Sequence, residues 1–106
     1  MKSKLPITIN EVTLPPVHPG EVLAEELAEI SVSVSALARA LDVPQSRMAE
    51  IISGKRSVTV DTALRLGAYF NTSARFWLNL QAAYDLATAK ARNGDAIAAV
   101  VRSRAA

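Results

Sequence analysis

The stretch VSALARALDVPQSRMAEIISG, residues 34–54, decides the fold. Val34, Leu37, Ala38 and Leu41 recur at spacings of three and four, which is the period of one helix face. Ser33 precedes them as an N-cap, its hydroxyl able to take an otherwise unsatisfied backbone N–H. This short helix stops at Asp42-Val43-Pro44. Asp42 stands where the chain needs positive φ; glycine is usual there, and aspartate is a tolerated substitute. Val43 precedes proline and is therefore pushed into an extended conformation. The next helix starts at Pro44 or Gln45 and runs to about Ser53, with Met48, Ile51 and Ile52 inward and Gly54 placed to end it in a left-handed conformation. Ala38 is small enough for the two helices to approach closely.

Upstream, Val22, Leu23, Leu27 and Ile30 repeat the helical spacing from Pro19, a residue suited to a first turn. Glu21, Glu25 and Glu26 lie early in this helix, where the macrodipole favours negative charge. His18, the only histidine, sits where it helps start the helix; with no cysteine or converging carboxylates it is not a metal site. Downstream, Thr59 caps a fourth helix with Asp61 in its first turn and Leu64 and Ala68 inside, and Asn71 suits its end. Ser73 caps a fifth, longer helix whose apolar stripe is Phe76, Trp77, Leu80, Ala83, Tyr84 and Ala87, and which Asn93-Gly94 is expected to stop. That helix extends the core or pairs across a two-fold axis. The expectation is an all-α, five-helix domain over residues 19–92, an extended arm at 1–18 and a tail at 93–106 that is either a short helix or frayed. Two strand-like pieces in the arm, Ile7–Ile9 and Val12–Leu14, are interrupted by Pro6, Pro15 and Pro16 and stay unassigned.

Packing Met48 and Ile51 inward turns Gln45, Ser46, Arg47, Ala49 and Glu50 outward. Three short helices with this turn have the lengths of a helix-turn-helix, in which the N-terminal residues of the second helix of the motif reach base edges in the major groove. Gln45 can make paired hydrogen bonds to adenine and Arg47 to guanine. Ser46 can bond a base or a phosphate. Glu50 either accepts from a cytosine amine or orients Arg47. Candidate phosphate clamps flank this helix: Lys55 and Arg56 on the following loop with the hydroxyls of Ser57 and Thr59, Ser35 at the start of the preceding helix, and Arg39.

Charge agrees with a polyanion partner for the middle of the chain. Residues 1–30 carry two basic residues against five acidic, residues 31–75 six against three, and residues 76–106 four against two. The glutamates of the first helix form a solvated face or a patch for a basic protein partner. Across the 106 residues half are hydrophobic but only 5% aromatic, a mixture that favours helices. No cysteine is present, which excludes disulfides and thiolate metal sites and suits a reducing cytosol. No apolar run is long enough to span a membrane, and no apolar segment follows the basic start as in a signal peptide, so a cytoplasmic location is expected. No nucleophile stands with a base, no glycine-rich loop could cradle phosphate, and no metal-ligand spacing occurs, so neither catalysis nor a cofactor is expected.

Four segments carry a family resemblance: PVHPGEVLAEEL from Pro16, ALARALDVP from Ala36, IISGKRSVTVDTALRL from Ile51 and TSARFWLNLQ from Thr72. Together they resemble the HigA-type antitoxins, within the Cro and phage-repressor-like (XRE, lambda-repressor-like) helix-turn-helix class, over roughly residues 16–92. The resemblance implies a homodimer that represses its own operon at a palindromic operator and neutralises a HigB/RelE-like, mRNA-cutting toxin. It also places Gln45, Ser46, Arg47 and Glu50 where the class reads bases, and Lys55 and Arg56 where it grips the backbone. Two departures, Asp42 for glycine and Val60 for proline, remove no DNA contact. The alternatives are a repressor of the same fold without a toxin and a protein-interaction bundle that has lost DNA binding.

Overall fold

The structure, a computed structural model, describes residues 16–104; the arm expected at 1–18 lies outside them except for its last three residues. Five helices follow in order: α1 (Pro19–Ile30), α2 (Val34–Leu41), α3 (Gln45–Ile52), α4 (Val60–Phe70) and α5 (Ala74–Val100). The chain divides into two compact units. One is Val17–Ala82, and the described part of the other is residue 16 with residues 83–104.

Helix ends in the first unit follow local chemistry. His18 Nδ1 accepts from the Gly20 N–H at 2.8 Å, and the Glu21 carboxylate accepts from the His18 N–H, which closes a capping box ahead of Pro19. Ser33, Thr59 and Ser73 hydroxyls accept from the N–H groups of Ala36, Thr62 and Phe76. Ser31, Asp42 and Asn71 end α1, α2 and α4 in the left-handed region, each at φ near 58–59°. Gly54, at φ 82°, follows α3.

The core is one cluster built from Leu23 and Leu27 of α1, Leu37, Ala38 and Leu41 of α2, Met48 and Ile51 of α3, Val58, Ala63 and Leu66, and Trp77 of α5. Burying a leucine, isoleucine or methionine side chain fully is worth about 1.5–3 kcal/mol, so these residues hold α1, α2 and α3 in one arrangement. Gly20 has no Cβ because α1 rests directly on the end of α3. A Cβ there would meet the Ile51 carbonyl oxygen and lie 2.8 Å from that of Ile52. Trp77 is 1% exposed; its indole N–H donates to Thr72 Oγ1 at 3.0 Å, and its ring lies beside Phe70 and edge-on to Phe76.

The structure corrects three expectations. Leu64 and Ala68 point outward, with Leu64 59% exposed, and Ile30 of α1 is also exposed. Helix α4 instead buries Thr62, Ala63, Leu66 and Gly67. The sequence offers two overlapping stripes on α4, and packing selects the one with the smaller residues. A Cβ at Gly67 would come 2.8 Å from the Thr72 carbonyl oxygen, so only this face admits the returning chain. On α5, Trp77 is buried and Leu80, Tyr84 and Ala87 are partly buried, but Phe76 and Ala83 are exposed. Asn93-Gly94 does not stop α5, which continues to Val100. Glycine inside a helix costs about 1 kcal/mol relative to alanine; the alanines on both sides of Gly94 are the best helix formers and carry the backbone through it.

One buried contact lies beyond sequence reasoning. Gln81 of α5 is 5% exposed, and its Oε1 accepts from the Val58 N–H at 2.8 Å, which pins the loop between α3 and α4. Gln81→Leu would leave that buried N–H unsatisfied, a loss of about 1–3 kcal/mol. Urea unfolding followed by circular dichroism is expected to show a lower midpoint with an unchanged slope.

Candidate nucleic-acid interface

The turn between α2 and α3 fixes how α3 is presented. The Val43 N–H reaches the Ala38 carbonyl at 3.0 Å and the Asp42 N–H the Arg39 carbonyl at 3.2 Å, a Schellman-type closure around the left-handed Asp42. Pro44, extended at ψ 140°, then starts α3 without any side-chain cap. The first amides of α3 therefore keep their positive end of the helix dipole open.

Arg65 of α4 locks this turn from behind. Its Nη1 donates to the Leu41 carbonyl at 2.8 Å and to that of Asp42 at 3.4 Å, while Nε donates to Asp61 Oδ2 at 2.9 Å. The hydrogen bond and the charge of Asp61 raise the Arg65 guanidinium pKa above its ordinary value. An aspartate four residues before an arginine is a visible helix pairing, but its reach back to α2 is a tertiary fact.

With Met48 and Ile51 fully buried and Ile52 packed against the same core, the remaining residues of α3 form its outer side. Gln45, Ser46 and Ala49 are exposed, and Arg47 and Glu50 are half-buried. Glu50 does not orient Arg47. Its Oε1 accepts from Arg56 Nε at 2.7 Å, and both side chains remain about half exposed. Such a surface pair is worth about 0–1 kcal/mol; its effect is to hold Arg56 against the end of α3 rather than free on the loop. Lys55 and Ser57 are exposed on the same loop. Thr59 is already engaged: its oxygen accepts from the Thr62 N–H, and it shares a 3.3 Å hydrogen bond with the Thr62 hydroxyl. The same hydroxyl thus serves as the cap of α4. Ser35 lies 3.3 Å from the Ser33 cap, oxygen to oxygen, and Arg39 is exposed on α2. Three further cations and hydroxyls of the sequence-derived set, Lys55, Arg56 and Ser57, thus follow directly on the α3 face that carries Gln45, Ser46 and Arg47.

A family model for helix-turn-helix domains matches residues 23–77, the span from α1 to the start of α5. Among curated proteins, the chain is 49% identical over 87 residues to virulence-associated protein I of Dichelobacter nodosus, covering 81% of this chain and 79% of that one. Two solved structures share the fold at high identity. An addiction module antidote protein of a HigA family from Coxiella burnetii is 46% identical at a TM-score of 0.82, with 85% of this chain and 99% of that one covered. The Pseudomonas aeruginosa antitoxin HigA, solved with the higBA promoter, is 48% identical at a TM-score of 0.81, with 84% and 98% covered.

Proposed function

Because the chain belongs to the HigA-type antitoxins of the helix-turn-helix family, we propose that it binds the operator of its own operon as a homodimer, represses transcription there, and neutralises a cognate RelE-like, mRNA-cutting toxin. The observation that carries the DNA reading is the state of α3. Its start is uncapped, its inner side is fixed by Met48 and Ile51, and Gln45, Ser46 and Arg47 stand on the open side.

In this reading α3 enters the major groove by its first turn. Arg47 pairs with a guanine edge, Gln45 with an adenine, and Ser46 with a base or phosphate. Lys55, Arg56 and Ser57 hold the backbone after α3, and Ser35 and Arg39 hold it beside α2. Glu50 contributes by positioning Arg56. Thr59, whose hydroxyl also caps α4, lies beside Lys55, Arg56 and Ser57 at the end of the same loop. Two copies are needed because a palindrome presents its half-sites about 34 Å apart. Leu86, Ile97 and Val100, exposed on α5, and Val60 and Leu64, exposed on α4, are the apolar surfaces that support pairing. In the cell the protein acts in the cytoplasm, where operator and toxin are.

The toxin half is tested by looking for a small basic reading frame beside this gene and co-expressing its product with this chain. Growth arrested by that product alone is expected to be restored when this chain is supplied in trans under a foreign promoter. Arrest that persists despite abundant folded protein would leave a repressor without a toxin.

A further inference from the structure

Away from α3, the first unit has a small aromatic pocket with an acidic mouth. Val22, Glu26, Phe70, Thr72, Phe76 and Trp77 enclose about 170 Å³. Trp77 and Phe70 are held in place by the Thr72 hydrogen bond and by ring contacts at 5.8 Å between their centroids. Phe76 stands edge-on to Trp77 at 5.1 Å and 83°, yet it is 42% exposed. Its ring therefore braces Trp77 on one side and leaves the rest of its surface on the pocket and solvent. Glu26 is exposed and makes no ion pair with a described residue, and Glu25 and Glu29 are exposed on the same helix.

The charge decides what can occupy this pocket. A phosphodiester would meet the Glu26 carboxylate at the pocket and the further negative charge of Glu25 and Glu29 on the same helix, so nucleic acid is the wrong ligand. A cation on an apolar stem fits each wall: its methylenes lie against Val22, its charge meets the faces of the aromatic rings, and its N–H groups reach Glu26. Arginine suits this better than lysine, because a planar guanidinium stacks on a ring and bonds a carboxylate with two parallel N–H groups.

We propose that the pocket between α1 and the start of α5 seats an arginine side chain of a cationic protein partner. This rests on the antitoxin reading, under which the partner is the toxin. An enzyme that cuts mRNA must bind a polyanion and so carries a cationic surface, complementary to the acidic outer face of α1.

The test is calorimetric titration of the full chain with the adjacent frame's product, made catalytically inactive. Three variants are compared: Glu26→Gln and Phe76→Ala in the pocket, and Glu25→Gln outside it. Each pocket variant is expected to weaken binding about tenfold or more, as for an anchor residue in an interface. Glu25→Gln should change it by less than about threefold, as for an exposed charge. Operator binding and helix content by circular dichroism should stay at the level of the unaltered chain, which separates a lost contact from a lost fold, while Phe76→Ala lowers the melting temperature only by the share of its ring contact with Trp77. Tight binding that ignores both pocket variants would overturn the pocket and leave the antitoxin reading standing. Equal weakening by all three would also overturn it, replacing a seat with diffuse attraction. No binding by the unaltered chain would overturn both.

Discussion

Gly20→Ala is expected to cost the domain about 3 kcal/mol or more, at the upper end for an overpacked site. The new methyl would collide with the Ile51 carbonyl oxygen and crowd the Ile52 carbonyl and Cα, at 2.8 and 2.9 Å. Those atoms are backbone and cannot swing aside as the end of a side chain can. Helix α1 must then lift from α3, and Leu23 and Leu27 lose part of their burial with it. A domain of this size loses roughly 4–8 °C of melting temperature per kcal/mol, so a thermal scan by circular dichroism should show a fall of about 12 °C or more. A melting temperature close to that of the unaltered chain would mean that α1 is free to slide on α3, and that the close approach has no structural weight.

Arg47→Ala is expected to remove operator preference without harming the fold. The side chain is half-buried on the outer side of α3, beyond the core formed by Met48 and Ile51. Loss of a paired contact to guanine costs about 1–3 kcal/mol, which is roughly 5- to 150-fold in affinity for the native fragment. Binding to a shuffled fragment should hardly change, because base contacts carry the discrimination. Lys55→Ala should do the opposite, weakening both fragments alike and reducing the salt slope by about one. Titrations of both variants on both fragments, with melting temperatures alongside, distinguish these outcomes. If Arg47→Ala weakens both DNAs equally, Arg47 is a backbone contact and base reading lies elsewhere on α3.

What the sequence made legible was local. The left-handed Asp42, the caps at Ser33, Thr59 and Ser73, the ends at Asn71 and Gly54, and the inward Met48 and Ile51 each depend on a few neighbouring residues. The outward face of α3 follows from that inward pair. What sequence reading missed was set by partners far along the chain. Gln81 reaches back 23 residues to Val58, and Arg65 reaches back 24 to Leu41. Leu64 fits an apolar period as well as Leu66 does, and only the close pass at Gly67 decides between them. Glu50 had a neighbour in sequence, Arg47, but the loop after α3 brings Arg56 nearer. Asn93-Gly94 carries a strong local stop signal that the surrounding alanines outweigh. Sequence chemistry therefore located the outward residues of α3, whereas the side chains that brace them came from the fold.

Under the proposed function, α3 reads the operator of this chain's own gene. The most direct test of that reading is the affinity of the unaltered protein for the DNA upstream of its gene and for a shuffled fragment of the same composition, each at two salt concentrations. Tighter binding to the native fragment is expected at both, with log affinity falling linearly against log salt by about 0.9 per phosphate neutralised. Equally weak binding to the two fragments, with no preference at either salt concentration, would contradict it.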